Sequence, residues 1–337
     1  MKKSSWLGMV LLILLCVMPL LQGCGGKDGT TPAAKIVFCD AGWDSLRFHN
    51  AIARFIAKYG YGLESEELKG STPVTYTALL RGDADVYMEI WTDNLATYAK
   101  DVESGKFQVA GVNFADNRQG IYVPRYVIEG DAKRGIAPSA PELKTVADLA
   151  KYPEVFKDEE NPGKGRIYGA IPGWAIDEIM YKKFKFYKLD KDFVYFRPGS
   201  DAVLNAAFTA AYDKGEPIAG YNWEPTWLSG KLDLVLLADA PYEEKAFQEG
   251  KTAAPSVPVT IGVGKKAWQS YPDFVKFLQS YHTSSALTAE GLVLLSEGKL
   301  SYDQAARKFL QKHPELLKKW LPEEKRAAVE KALREAK

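Results

Sequence analysis

Four tryptophans stand where this sequence is most able to do chemistry, each directly after a predicted β-strand. They are Trp43 after residues 35–39, Trp91 after residues 86–90, Trp174 after residues 167–170, and Trp223 after residues 217–221. Strands of open α/β sheets end at a common edge, and ligands bind in the crevice beyond it. One such tryptophan is as well explained by core packing, whereas four on separate elements favour a shared aromatic site.

Several indole faces are best suited to capture a cation that cannot donate hydrogen bonds. A quaternary ammonium spreads its charge over methyl groups, and each contact with an aromatic face is worth about 2 kcal/mol when desolvated. Three rings supply roughly 6 kcal/mol, most of the ~8 kcal/mol of a micromolar complex. Sugars and nucleobases also stack on aromatic rings. Sugar sites, however, usually need many Asp, Asn and Arg side chains, and these loops offer few.

The rest of the composition offers little to other chemistries. The 337 residues include 8 tryptophans but only 3 histidines and 3 cysteines, and Lys+Arg (44) balance Asp+Glu (43). His49, His282 and His313 are far apart in sequence and are expected near the surface. The chain has no zinc-protease, serine-hydrolase or phosphate-loop motif. The sequence therefore predicts no enzyme, no metal, no cofactor and no nucleic-acid partner.

The first residues have the layout of an export signal. Two lysines precede an uncharged, mostly apolar run at residues 6–21, which is shorter than the roughly 20 residues of a membrane span. Leu-Gln-Gly then leads to Cys24, a sequence similar to the bacterial lipoprotein processing box. We predict a signal peptide over residues 1–23, a lipidated Cys24 and a flexible tether over residues 24–34. The alternative is an ordinary signal peptide in which Cys24 is incidental.

Short strands and amphipathic helices alternate along the rest of the chain. Strands are expected at residues 35–39, 86–90, 107–110, 121–128, 167–170, 193–196, 217–221, 234–238 and 259–263. Helices are expected at residues 52–59, 77–80, 146–156, 177–186, 202–212, 271–281 and, with breaks at Gly298, Pro314 and Pro322, from residue 288 onwards. This alternation predicts a mostly parallel sheet with helices on both faces.

Length and element order predict two lobes. A chain of this length holds about two domains, and a stretch rich in Pro and Gly at residues 130–141 lies near its middle. We assign residues 35–125 to a first lobe and residues 126–232 to a second. Residues 233–337, with one strand and several helices, are expected to return and complete the first lobe.

Four motifs carry a resemblance to a known family. They are Gly42-Trp43, the run GDADVYMEIW at residues 82–91, VPRYV at residues 123–127, and WEPTW at residues 223–227. In this order they resemble the substrate-binding proteins of ABC importers for glycine betaine, choline and related osmoprotectants, over about residues 35–322. The resemblance implies an α/β fold of the two-lobed, type II periplasmic-binding-protein kind, with two mixed sheets joined by hinge strands.

The same resemblance implies a function and a set of partners. In this family, two lobes close over a small quaternary ammonium ligand in an aromatic cage and deliver it to the permease and ATPase subunits of an importer. This chain would then be exported, held at the membrane by the lipid on Cys24, and act as a monomer. A receptor of the same fold for an amino acid or a sugar is the alternative, and an exported enzyme is least favoured.

Individual ligand contacts follow from the resemblance position by position. The expected contacts are the cage positions Trp43, Trp91 and Trp223, a fourth wall at Trp174, and Tyr122 at the hinge strand. In members that bind a carboxylate, backbone amides after the first strand hold it, a role that Gly42 and Trp43 would take here. Arg125 and Arg197 are possible partners of such a carboxylate, although a structural ion pair is the favoured interpretation of each.

Acids beside two cage positions depart from the glycine betaine pattern. Asp44 follows Trp43, Glu224 follows Trp223, and Thr226 stands where many members have His. An acid at the cage would strengthen cation binding and repel a ligand carboxylate. It would therefore favour choline or another quaternary ammonium with a neutral tail. The alternatives are that Asp44 caps the following helix and that Glu224 points to solvent.

Overall fold

Two five-stranded sheets, each surrounded by helices, make up the described part of the chain. A computed structural model of the protein describes residues 35–335. The predicted signal peptide, Cys24 and the tether lie outside these residues. No helix within residues 35–335 is both long and apolar enough to cross a membrane.

Strands and helices alternate along most of the chain, as the sequence predicts. The strands are β1 (Ile36–Asp40), β2 (Ser65–Lys69), β3 (Val86–Trp91), β4 (Phe107–Phe114), β5 (Arg118–Pro124), β6 (Gly165–Tyr168), β7 (Phe193–Phe196), β8 (Gly220–Glu224), β9 (Leu234–Leu236) and β10 (Val259–Gly264). The helices are α1 (Asp44–Tyr61), α2 (Thr72–Arg81), α3 (Tyr98–Glu103), α4 (Arg125–Glu129), α5 (Ala175–Phe186), α6 (Asp201–Lys214), α7 (Trp227–Lys231), α8 (Glu244–Gln248), α9 (Lys265–Ser270), α10 (Pro272–Ser280), α11 (Ser285–Ser296), α12 (Tyr302–Lys312), α13 (Pro314–Trp320) and α14 (Glu323–Glu335).

Both sheets have the same mixed topology. The first sheet has the strand order β2-β1-β3-β10-β4, and the second has the order β7-β6-β8-β5-β9. In each, the first three strands are parallel, and the fourth runs antiparallel to both of its neighbours. This arrangement confirms the α/β fold with two mixed sheets. Four of the five strands in each sheet run in the same direction, so each sheet is mostly parallel, as expected, with one antiparallel strand.

The sheet pairing places the lobe boundary differently from the sequence-based division. Strand β5 pairs with β8, and β9 pairs with β5, so both belong to the second sheet. The predicted first lobe, residues 35–125 with residues 233–337, included both strands. The difference arises because an antiparallel strand is assigned by a hydrogen-bonding partner far away in sequence, which local pattern does not reveal.

The chain crosses between the sheets twice, and the two crossings lie side by side. The first is the short link from β4 to β5, and the second leads from β9 to β10. Asn117 joins them, because its Nδ2 donates to the Val257 carbonyl at 2.5 Å and its Oδ1 accepts from the Val257 amide at 3.1 Å. Two adjacent, hydrogen-bonded connections are a geometry in which two lobes can bend about a common axis.

The first sheet is buried from both sides by the elements that flank it. Every residue of β3 and β10 is buried, as expected for central strands covered on both faces. Helix α1 starts directly after Trp43, which has an extended backbone, and ends at Gly62 in the left-handed conformation. Helices α12 and α14 pack against α1. The C-terminal helices therefore cover the same sheet whose loops carry Trp43 and Trp91.

Three local differences from the sequence-based expectations have simple causes. The charged edge strand β2 was missed, because its sequence SEELK shows no apolar alternation. The strand expected at residues 121–128 ends at Pro124, where α4 begins. The helix expected at residues 146–156 is only a 3-10 turn over Ala147–Lys151. The expected breaks near Gly298, Pro314 and Pro322 are confirmed by the limits of α11 to α14.

Candidate functional site

One cavity, of about 440 Å³ with its open mouth included, brings together the four tryptophans named above. The elements of the first sheet contribute what we call the first wall: Trp43, Tyr87, Glu89 and Trp91. The elements of the second sheet contribute the second wall: Trp174, Tyr221 and Trp223.

Each indole is held at the end of a strand or at the start of the helix that follows. Trp91 is the last residue of β3, and Trp223 lies within β8. Trp43 and Trp174 have extended backbones directly before α1 and α5. The strand-end rule therefore placed all four side chains correctly around one cavity, although each is at least nine-tenths buried and could have been a core residue.

The rings of the two walls meet edge to face. Trp43 and Trp174 have centroids 5.6 Å apart with planes at 79°, and Trp174 and Trp223 have centroids 5.1 Å apart at 85°. Tyr221 stacks against Trp223 at 5.7 Å. Perpendicular aromatic planes present several negative faces to one small volume, an arrangement suited to a compact organic cation.

Glu89 also lines the cavity, and sequence reasoning did not single it out. Its side chain is fully buried at the cavity lining. Its Oε2 accepts hydrogen bonds from Trp43 Nε1 at 2.7 Å and from Ser45 Oγ at 3.0 Å. The available signal was a carboxylate in the middle of β3, a strand that otherwise reads as fully buried. Such a residue is rarely buried without a specific reason.

Burial shifts the protonation of Glu89 and of the neighbouring His49 in opposite directions. Burial raises the pKa of Glu89 to about 7, while hydrogen bonding from Trp43, Ser45 and Trp91 acts against this rise. Burial lowers the pKa of His49 to about 3. His49 Nε2 lies 3.5 Å from Glu89 Oε1, but the imidazole is neutral near pH 7. It therefore supplies no counter-charge to the carboxylate.

The expectation that His49 lies near the surface was wrong. Its ring is fully buried, with Nδ1 2.7 Å from the Tyr281 hydroxyl and Nε2 3.2 Å from Thr288 Oγ1. The ring is held by groups from beyond α10 and from α11, which sequence separation concealed. Within residues 35–335, no cluster of His, Cys, Asp and Glu side chains is arranged to hold a metal ion.

Two of the predicted contacts, Tyr122 and Glu224, lie outside the cavity lining. In the pairing of β5 with β8, Glu224 stands opposite Arg118, and Tyr122 stands opposite Gly220. Residues next to each other on a strand point to opposite faces, so Glu224 faces away from the side on which Trp223 lines the cavity. The Tyr122 hydroxyl donates to Glu224 Oε1 at 3.1 Å instead.

Asp44 is also outside the cavity lining. It occupies the first turn of α1, where its Oδ1 accepts from the Tyr302 hydroxyl at 2.6 Å. Its backbone amide donates to Asp201 Oδ2 of α6 at 3.2 Å, so it lies at a contact between the two lobes. Its side chain is therefore engaged with Tyr302 and not with the cavity that Trp43 lines.

Gly42 is not among the residues that line the cavity, and its amide is engaged elsewhere. With φ at +100°, it adopts a conformation that side chains rarely take, and an added Cβ would lie 3.8 Å from Trp174 Nε1. Its N–H donates to Asp40 Oδ1 at 3.0 Å. The amide expected to hold a ligand carboxylate is therefore already paired with a protein carboxylate.

Cationic side chains are absent from this cavity within the described part of the chain, since no lysine or arginine lines it. Arg197 pairs with Asp177 at 2.9 Å, and Arg125 pairs with Asp233 at 3.0 Å. Both are the structural ion pairs that the sequence favoured. The neutral polar group Asn94 lines the cavity and exchanges two hydrogen bonds with Gln119 of β5.

Comparisons with known proteins show the family through a family model and the fold through solved structures. Residues 34–312 match the family model described as the substrate-binding domain of ABC-type glycine betaine transport systems. A solved ABC-transporter choline-binding protein in complex with choline has a TM-score of 0.69 and 22% identity, covering 89% of this chain and 98% of its own.

Two further solved structures have similar folds. The lactococcal glycine-betaine-binding protein OpuAC, closed on glycine betaine, has a TM-score of 0.66 and 19% identity, covering 86% of this chain and 99% of its own. A glycine betaine, L-proline-binding protein from Borrelia burgdorferi also has a TM-score of 0.66, with 18% identity, covering 88% and 100% of the two chains. At these identities the likeness establishes the fold alone.

Proposed function

Because this chain belongs to the family of substrate-binding domains of ABC-type glycine betaine transport systems, we propose that it binds a quaternary ammonium compound between its two aromatic walls. The observation that carries the proposal is that four indoles from both sheets line one cavity. A desolvated contact between a cation and an aromatic face contributes about 2 kcal/mol. The role of the family is transport rather than catalysis.

Delivery to a membrane permease follows from closure of the two lobes. The crossings joined by Asn117 and Val257 are the natural bending point, and a ligand that contacts both walls favours the closed state by its differential affinity. The protein, as a monomer, then presents the surface formed by closure of its lobes to the permease and ATPase subunits of an importer.

Membrane attachment is the second part of the proposal. Residues 1–23 act as the export signal, and Cys24 carries the lipid that holds the protein outside the cytoplasm. Expression of the full chain in a bacterium, followed by detergent phase partition and mass spectrometry, tests this part. A diacylglyceryl mass on Cys24 that disappears in Cys24→Ala supports it, and an unmodified Cys24 in a mature chain contradicts it.

Calorimetric and fluorescence titrations test ligand binding. Choline or glycine betaine at micromolar concentration should release heat and quench tryptophan emission, and Trp91→Ala should abolish both signals. Trp268→Phe is the matched control, because Trp268 lies on α9 and does not line the cavity. The absence of a signal with any quaternary ammonium compound contradicts the proposal. A melting-temperature rise with an amino acid or a sugar instead identifies the alternative ligand class.

A further inference from the structure

The charge at the base of the cavity has no cationic partner in the described part of the chain. Glu89 Oε1 is buried and receives no hydrogen bond within residues 35–335. Neither lysine nor arginine forms an ion pair with this carboxylate there, and the neighbouring His49 is neutral at physiological pH. An ionised carboxylate in such surroundings is costly unless a counter-charge is supplied.

The same cavity would bind a second negative charge, that of a ligand carboxylate, unfavourably. Of the two amides that sequence reasoning assigned to a ligand carboxylate, Gly42 and Trp43, that of Gly42 already donates to Asp40. The polar groups that line the cavity besides Glu89 are neutral, as in Asn94 and Thr72. Neutral hydrogen-bonding groups suit a hydroxyl or other uncharged tail, whereas a ligand carboxylate would meet Glu89 without a positive group to offset it.

We propose that Glu89 is the counter-charge of the bound ligand and selects quaternary ammonium compounds with a net positive charge over zwitterionic ones. This inference rests on the proposed function and adds the charge class of its ligand. The aromatic walls attract any quaternary ammonium, but only a cation without its own carboxylate gains fully from Glu89. Choline is the net-cationic probe, and glycine betaine is the zwitterionic probe of similar size.

The proposal predicts that the affinity for choline depends on pH through the titration of one group, Glu89. The titratable groups facing Glu89 are His49 from α1, Tyr87 from β3 and Tyr281 from the end of α10. His49 has a pKa of about 3, and the pKa values of both tyrosines are raised. Of these four side chains, only Glu89 therefore changes its protonation near neutral pH. A bound cation favours its ionised form, so choline affinity is full above pH 7 and falls as the pH drops below it.

The ratio of the choline affinity to the glycine betaine affinity separates the titration of Glu89 from that of other groups in the protein. Asp201, at the contact between the lobes, also has a pKa raised to about 7. Protonation of Asp201 changes lobe closure equally for both ligands. Its effect therefore cancels in the ratio of the choline affinity to the glycine betaine affinity. Between pH 8 and pH 5.5, the preference for choline should fall about 30-fold, because affinity changes tenfold for each pH unit below the pKa.

Calorimetry on the wild type, Glu89→Gln and Glu103→Gln gives the direct test. In Glu89→Gln, choline should bind about 30-fold more weakly at pH 8, and the pH dependence of the choline preference should vanish. Glu103→Gln, which replaces an exposed acid at the end of α3, should behave as the wild type. Unchanged choline affinity in Glu89→Gln, or a choline preference that does not vary with pH in the wild type, overturns the inference.

A measurement on the wild type alone covers the case in which Glu89→Gln does not fold, as judged by circular dichroism. At pH 7, choline binding should release roughly half a proton, measured by calorimetry in buffers of different ionisation enthalpy. Glycine betaine should release much less. Equal proton release with both ligands overturns the inference while leaving the proposed function intact. A wild-type protein that binds no quaternary ammonium compound contradicts the proposed function itself.

Discussion

The two walls of the cavity differ in what lies behind their aromatic faces. In the first wall, the Trp43 indole N–H donates to Glu89, so the ring orientation and the position of the charge are fixed together. In the second wall, Trp223 stacks on Tyr221 and meets Trp174 edge to face, and no charged side chain lines that side within the described residues. We infer that the first wall fixes where the cation sits and that the second closes over it with neutral faces.

The largest expected effect comes from replacing Trp43 of the first wall, compared with replacing Trp223 of the second wall. Trp43→Ala removes an aromatic face worth about 2 kcal/mol and the donor to a buried carboxylate, worth a further ~2 kcal/mol. Trp223→Ala removes a face only. Calorimetry with choline should therefore show a loss of about a thousandfold for Trp43→Ala and about 30-fold for Trp223→Ala. Equal losses would mean that the two walls act alike.

Phenylalanine substitutions sharpen the same comparison. Trp43→Phe and Trp223→Phe both keep an aromatic face, but only the first deletes a hydrogen bond to Glu89. A hydrogen bond to a charged group contributes about 2 kcal/mol, so choline affinity should fall about 30-fold more in Trp43→Phe. If Trp223→Phe is the more damaging substitution, the indole N–H of Trp43 has no special part in binding.

A third prediction concerns charge at the contact between the lobes rather than inside the cavity. Burial, with the nearby Asp44 carboxylate, raises the pKa of Asp201 to about 7. The protonated form therefore favours the contact, which weakens as the pH rises through 7. Glycine betaine affinity should fall up to about tenfold between pH 6 and pH 8, and Asp201→Asn should flatten this profile. A profile that persists in Asp201→Asn assigns the titration to another group.

The smallest expected effect tests the acid that sequence adjacency had placed at the site. Glu224 lies beside Trp223 on β8 but points to the other face, where it accepts from the Tyr122 hydroxyl. Glu224→Gln should therefore leave choline affinity within about threefold of the wild type, as for an exposed or remote charge. A tenfold loss in the same titration would return Glu224 to the site.

Glu89 and Glu224 also show how much of the site could be predicted from the sequence. The strand-end rule found the tryptophans because it depends on topology, which alternation of strands and helices reveals. It did not find Glu89, because the register of a buried strand, and thus the face of each residue, depends on distant pairing partners. For the same reason, adjacency to Trp43 and Trp223 misplaced Asp44 and Glu224. A ligand with a neutral tail stays a prediction, now based on Glu89 instead of Asp44 and Glu224.

The domain limits failed for a related reason. Strands β5 and β9 lie at the sequence borders of the predicted lobes, and only their pairing with β8 and with each other assigns them to the second sheet. The return of β10 to the first sheet is a longer-range event, yet its continuous apolar run identified the strand itself. Local pattern thus located the elements well and their partners poorly.

The central claim is that the cavity recognises positive charge and not merely the shape of a trimethylated head. Its most direct test compares choline with its neutral carbon isostere, in which a tert-butyl group replaces the trimethylammonium. Both fill the same volume, but only choline interacts electrostatically with the aromatic faces and Glu89. Calorimetry at pH 8 should show the isostere binding at least about a hundredfold more weakly. Equal affinities for the two compounds would contradict the account.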